Sequence, residues 1–244
     1  MAMAGWSPEL AMDAYLHTLQ LCKQQEEHAD DASDSSSSSS VVMEPRSMEY
    51  IAALAAGSQA RLLLDVAPAA ASPATAVALA VAAARTGGRV ACVRDDPRSL
   101  DGVRRHLHRH GLAASADFHL ARPSATEAAV VRQLRCVDFA VVDASLERCG
   151  GVLGAVDVNP RGAIVVVTNV FQEETTTRRS SGRVCSYGQV VGKKGRATVL
   201  PIGRHGIEVT RVGGGSSGAH LQPHKKVVST PKRTFLVCDD GSPS

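Results

Sequence analysis

The apolar positions divide the chain into helix-period and strand-type segments that alternate through its middle. Ahead of that region, Ser7-Pro8-Glu9 has the form of a helix start, a capping hydroxyl followed by proline at the first helical position. Leu10, Ala11, Ala14, Tyr15, Thr18, Leu19 and Cys22 recur at helical spacing and predict a helix through about Lys23. A second helix is expected from Pro45 to Ala56, with Met48, Ile51, Ala52 and Ala55 on its apolar face and Gly57 stopping it. Arg61 to Val66 is a short apolar run of the type buried on both faces. A helix from Pro73 to Ala84 follows, closed by Gly87-Gly88, then a strand at Val90 to Val93. Pro97 to His110 reads as a helix ended by Gly111, Ala116 to Leu120 as a weaker strand, and Ser124 as the cap of a helix to Leu134. Val137 to Asp143 and Gly162 to Val167 read as strands with a short helix between them. Ala197 to Ile202 and Ile207 to Val212 flank Gly203-Arg204-His205-Gly206, a β-hairpin signature. Five βα units and a closing hairpin define an α/β protein: a doubly wound, mostly parallel sheet with helices on both faces and a C-terminal antiparallel hairpin.

Low-complexity stretches set the expected boundaries. An N-terminal helix occupies 1–28, and the Ser-rich segment 29–40, which includes Asp31 to Ser40, reads as a disordered linker. The Rossmann-like domain spans 41–212, and 213–244 reads as a flexible basic tail in which Thr234 to Cys238 is a marginal strand. Charge is divided unevenly. From Arg178 to Arg233 there are twelve Lys or Arg against one acid, Glu208, whereas residues 1–177 carry fifteen basic and twenty-one acidic groups. Such a split marks a candidate anionic partner. The basic stretch contains only Tyr187 as an aromatic, so it reads foremost as solvated loop and tail, and nucleic acid is not the expected partner.

With eight aromatic residues in 244, the core must be built from Ala, Val and Leu. No run of about 18 apolar residues is present, so no membrane span is expected. The opening residues lack the basic-then-hydrophobic pattern of a secretory signal. Cys22, Cys92, Cys136, Cys149, Cys185 and Cys238 are scattered without a CxxC pair. That arrangement favours reduced thiols and a cytoplasmic setting over a disulfide frame or a zinc site. Cys92 and Cys136 read as core or rim thiols, and Cys149, ahead of Gly150-Gly151, as the most exposed. His106, His108 and His110 lie among three arginines with no acid or cysteine ligand beside them, and read as a solvated basic helix face. No GxSxG, GxGxxG or GxxxxGK[ST] pattern stands where a strand–turn–helix needs one, which removes support for hydrolase, NAD and ATP readings.

In a doubly wound sheet the ligand site lies beyond the carboxyl ends of the strands where strand order reverses, between the first and fourth strands. Asp65 ends the first and Asp143 the fourth. The opening Trp6-Ser7-Pro8-Glu9, the helix Glu49 to Gly57 and the later Thr86-Gly87-Gly88-Arg89 resemble a plant family known as domain of unknown function 1442. That resemblance covers roughly Gly5 to Val212 and implies the fold of S-adenosylmethionine-dependent methyltransferases. More distantly, Val142-Asp143-Ala144 and Val167-Thr168-Asn169 are similar to the cation-dependent O-methyltransferases that act on caffeoyl-CoA and catechols. Asp143 and Asn169 then correspond to two of three divalent-metal ligands, with Thr168 in place of the middle carboxylate. A missing carboxylate removes a ligand and its charge, so a divalent metal is not expected.

S-adenosylmethionine is the cofactor the resemblance implies, over Asp65, Ala67, Asp95 and Asp143. The turn that would receive it, Asp65 to Pro73, has no glycine: Ala67 and Ala71 stand at the expected glycine positions and Pro68 removes a donor. The ribose-binding acid falls at Arg94 or, with one residue of register, at Asp95, with Asp96 following. The reading taken forward is a methyltransferase-like protein with a degenerate cofactor site and a binding or regulatory role. Its alternatives are an active small-molecule O-methyltransferase and an anion or nucleic-acid binding protein using the basic C-terminal half.

Overall fold

The structure is a computed structural model and is described for residues 5–30, 45–121, 126–171, 185–191, 195–203 and 205–213. Two helices, α1 (Pro8–Asp30) and α2 (Pro45–Gly57), precede the alternating region. That region runs β1 (Leu62–Val66), α3 (Ala74–Thr86), β2 (Arg89–Arg94), α4 (Pro97–Arg109), β3 (Ala116–Leu120), α5 (Glu127–Val131), β4 (Phe139–Asp143), α6 (Cys149–Leu153) and β5 (Ala163–Thr168). A short helix α7 (Tyr187–Val191) and the hairpin β6 (Gly195–Leu200) and β7 (Ile207–Val212) complete it. The seven strands stand in the order β3-β2-β1-β4-β5-β7-β6. Pairings from β3 through β5 are parallel, and those of β5 with β7 and of β7 with β6 are antiparallel. The chain therefore has the doubly wound α/β architecture expected from its pattern, and order reverses between β1 and β4.

Two apolar clusters fill the two sides of the sheet. Leu63, Val90, Phe139 and Ile164 face α3 and the N-terminal helices, while Leu64, Ala91, Ala140 and Val165 face the α6 side. Alternation along each strand produces this division, because successive side chains point to opposite faces. Helix α3 is buried from Thr75 to Ala83 without a polar stripe. A helix apolar all round must be covered on more than one side, and here α1 and α2 supply the second cover. Its small alanines let both layers approach closely.

Several boundaries differ from the sequence pattern. Helix α1 continues to Asp30, past both Lys23 and the expected linker boundary. Gly57 is the last residue of α2 rather than a stop beyond it, and a Cβ there would overlap the Trp6 ring lying across it. Helix α3 begins at Ala74, extends to Thr86 and closes on Gly87 in the left-handed conformation, φ 66°. Val137 makes only an isolated bridge to Val158, so β4 begins at Phe139. Ser124, the Ser-rich linker and the tail strand Thr234 to Cys238 lie outside the described residues.

Candidate cofactor site

Strand alternation carries a row of polar side chains to the carboxyl edge of the sheet, on the face that α3 covers. The apolar positions Leu63, Val90, Phe139 and Ile164 share that face. Two or four residues further along the same strands come Asp65, Arg94, Asp143 and Thr168. In strand order the row reads Arg94, Asp65, Asp143, Thr168, spanning β2, β1, β4 and β5. The switch point falls in the middle, between Asp65 and Asp143.

Arg94 and Asp65 close half of this row on itself. Arg94 is 0% and Asp65 1% exposed, and Arg94 Nη2 lies 2.6 Å from Asp65 Oδ2. Arg94 Nη1 donates to the Val93 carbonyl at 2.8 Å and reaches the Asp65 carbonyl at 3.4 Å. Among the described residues Asp65 Oδ1 and Arg94 Nε have no hydrogen-bond partner. Burial pushes the Asp65 carboxyl up; the adjacent guanidinium opposes that push and the charge of Asp143 adds to it. Burial would pull Arg94 down, but Asp65 outweighs it and the guanidinium is held above its ordinary value. Cys92, one strand position below Arg94 on the same face, is buried, and its thiol is driven far up by that burial and then by Asp65.

The other half is closed by short bonds from neighbouring backbone and side chains. Asp143 Oδ1 accepts from Ser145 N at 2.8 Å and Ser145 Oγ at 2.6 Å, and Oδ2 accepts from Asn169 Nδ2 at 2.9 Å. Asn169 holds φ at 57°, a left-handed conformation that Asn tolerates better than most residues. Thr168 is buried beside it at the end of β5. Asp143 and Asn169 are thus in contact, yet the carboxylate oxygens already accept protein hydrogen bonds. Among the described residues no group of three His, Cys, Asp or Glu is placed to hold a metal ion.

The remaining sequence candidates separate. Ala67 is buried at the start of the turn after β1. Asp65 is not the final residue of β1, which ends on Val66. No residue from Ala67 to Pro73 has positive φ, and Ala71 N donates to the Pro68 carbonyl at 3.0 Å. The turn has therefore taken a course open to any residue, and Ala67 and Ala71 sit in it without φ strain. Asp95 is exposed at the turn into α4, where Asp96 caps the helix by accepting from Ser99 N at 2.7 Å. Register places Arg94, not Asp95, on the last paired position of β2, opposite Leu120.

A cavity of about 550 Å3 opens on the opposite side of the sheet at the same end. The loop after β4 (Ala144, Leu146, Glu147), Cys149 of α6 and the segment Ser186 to Val190 wall it. Cys149 and Cys185 are joined by a disulfide across 36 residues. This corrects two expectations. The thiols are not all reduced, and Cys149 is a buried residue at the start of α6; among the described cysteines Cys136 is the exposed one. The pairing has no local signature, since only the fold brings the two positions together.

A family profile described as protein of unknown function (DUF1442) matches residues 3–230. The chain belongs to the DUF1442 family. No curated protein matches it by sequence. Its fold is similar to that of a Geobacter sulfurreducens methyltransferase, at 14% identity and TM-score 0.54 over 78% of this chain and 96% of that one. It is likewise similar to a Staphylococcus aureus protein provisionally named caffeoyl-CoA O-methyltransferase, at 11% identity and TM-score 0.57 over 81% and 100%. An O-methyltransferase from Bacillus cereus in complex with SAH aligns at 17% identity and TM-score 0.52 over 80% and 90%. These likenesses establish a methyltransferase-like fold for the DUF1442 chain.

Sequence reasoning located Asp65, Asp143 and Asn169 on the carboxyl edge but missed three functional placements. Arg94 was noted for what it replaces, not for the acid it pairs with. Ser145 carries no motif, yet it holds Asp143. Tyr187, the lone aromatic of the basic stretch, is the buried first residue of α7.

Proposed function

We propose that this DUF1442 chain is a binding or regulatory module of methyltransferase-like fold whose cofactor site is degenerate. The observation that carries the reading is the Arg94–Asp65 pair, fully buried beside the switch point. A cofactor with a ribose diol calls for an acceptor at the end of β2, and a guanidinium has no acceptor to offer. The turn after β1 adds methyl groups at Ala67 and Ala71 and loses a donor at Pro68. The residues present do not fit S-adenosylmethionine. They fit a divalent metal no better, because Asp143 is engaged by Ser145 and Asn169.

Opposite this closed edge, the cavity beside α6 and α7 is large enough for a small molecule. The contact of Asp143 with Asn169 is the one feature favouring the alternative, an active O-methyltransferase, since it keeps two of three ligand positions together.

Calorimetry with S-adenosylmethionine separates the readings. The expected Kd is weaker than about 1 mM, a binding free energy no better than about −4 kcal/mol. Micromolar binding that Asp65→Ala abolishes overturns the degenerate-site reading and favours the active O-methyltransferase, which methyl transfer to an acceptor would then test.

A further inference from the structure

We propose that the Cys149–Cys185 disulfide is a reducible latch, attacked from the cavity by a small dithiol, whose opening releases α7 and dismantles that cavity. This goes beyond the reading of the cofactor edge and does not depend on it. Buried Cys149 and half-buried Cys185 both line the cavity, so the bridge that joins them lies in its wall. Buried Cys22 and Cys92 border no part of it. Thiol–disulfide exchange depends on that access, since a thiolate must approach a sulfur directly.

The placement of α7 gives the bond its consequence. Ser186, Gln189 and Val190 form one wall of the cavity, and all three belong to or adjoin this five-residue helix. Besides the disulfide, α7 is tied by the buried Tyr187 ring and by Gly188 N donating to Glu208 Oε1 at 3.1 Å. Glu208 is itself buried on β7, where Oε1 also accepts from Thr210 Oγ1. A helix this short has little stability of its own, so its ties decide whether it stays docked. The sheet does not rely on the bridge, because its strands are paired independently of α7.

The exchange balances as a two-electron transfer. A thiolate of the dithiol attacks Cys185 Sγ, a mixed disulfide forms, and Cys149 leaves as a thiolate that takes a proton. The second thiol of the reductant then attacks its own sulfur in the mixed disulfide, freeing Cys185 and leaving the reductant as a cyclic disulfide.

The test uses the full-length chain with dithiothreitol as the probe, native alkylation, and peptide mapping of Cys149 and Cys185. Without reductant the two peptides should be recovered linked. With dithiothreitol they should become alkylated within about an hour, a normal span for uncatalysed exchange. Amide exchange at 187–191 should then rise by about tenfold or more while β1, β4 and β5 stay protected. Val190→Trp, at an exposed cavity-lining position, should slow the reduction by about tenfold by obstructing the approach. Alkylation of both cysteines without reductant overturns the proposal, as does reduction only where the sheet also loses protection. Reduction of Val190→Trp at the unaltered rate overturns the route through the cavity.

Discussion

The two sides of one sheet end differ in how they are filled. On the α3 side the strand termini carry Arg94, Asp65, Asp143 and Thr168, and the charges are consumed by one another or by adjacent residues. On the α6 side the same strands end in apolar positions, and a cavity remains between the β4 loop and α7. One side is closed by an ion pair inside the core; the other is bounded by a covalent tie to a short helix. In this methyltransferase-like fold the acids at the carboxyl edge are thus engaged by Arg94, Ser145 and Asn169, while a cavity lies across the sheet. Burial explains why the closed side resists opening: separating two buried charges without new partners is among the costliest changes a core can suffer.

Removing one member of that pair is the strongest way to break the contrast. Arg94→Met should lower stability by about 3–5 kcal/mol, read from urea denaturation, because it leaves the Asp65 carboxylate buried and unpaired. Asp65→Leu combined with Arg94→Met should recover most of that loss, since two apolar side chains leave no charge behind. The deficit of the single variant should also depend on pH. Burial already pushes the Asp65 carboxyl up, and without Arg94 nothing offsets it. Its folded pKa then lies above the unfolded value, so the native state binds the extra proton and the penalty grows as pH rises through the carboxylate range. At about pH 4, where the unfolded carboxyl also titrates, the variant should come closest to the parent. A deficit that is flat with pH refutes the unpaired-carboxylate account.

The open side is probed through its tie. Cys185→Ser should cost up to about 4 kcal/mol if the bridge acts by restricting the unfolded chain across its 36-residue separation. The loss should appear first in α7 and leave the strand pairings intact, with tryptophan emission from Trp6 unchanged because that residue lies on the far layer against Gly57. A variant that loses more protection in β1 and β4 than its global stability loss accounts for would show that the two sides open as one unit, and the contrast would fall.

What the sequence disclosed divides along the same line. The strands were legible because runs such as Ile164 to Val167 have no polar alternation, and the helix ends because glycine follows them, as Gly87 follows α3. The acids of the closed edge were legible because a doubly wound order puts strand ends at the site. Their state was not. Arg94 and Asp65 are 29 residues apart, and their meeting depends on both lying on the same face of neighbouring strands. One step of register would have put Asp95 there instead. Cys149 and Cys185 were harder still, since their contact rests on α7 docking against α6 and no local pattern encodes it.

The smallest effect concerns Asp143, which stands where the two sides meet: its carboxylate belongs to the closed row, and the next residue, Ala144, lines the cavity. Ser145→Ala removes the hydroxyl bond at 2.6 Å but keeps the backbone bond at 2.8 Å to the same oxygen. The carboxylate therefore stays partly satisfied, and the expected cost is about 1 kcal/mol, a Tm lowered by about 2–4 °C for a chain of this size. Magnesium should restore none of it. The cation asks for near-octahedral oxygen ligation, and Asp143 with Asn169 supplies one carboxylate that remains bonded to the Asn169 amide. A Tm that rises with millimolar magnesium in Ser145→Ala, and not in the parent, would show that the hydroxyl alone withholds Asp143 from a metal, and the closed edge would then be one side chain away from an open one.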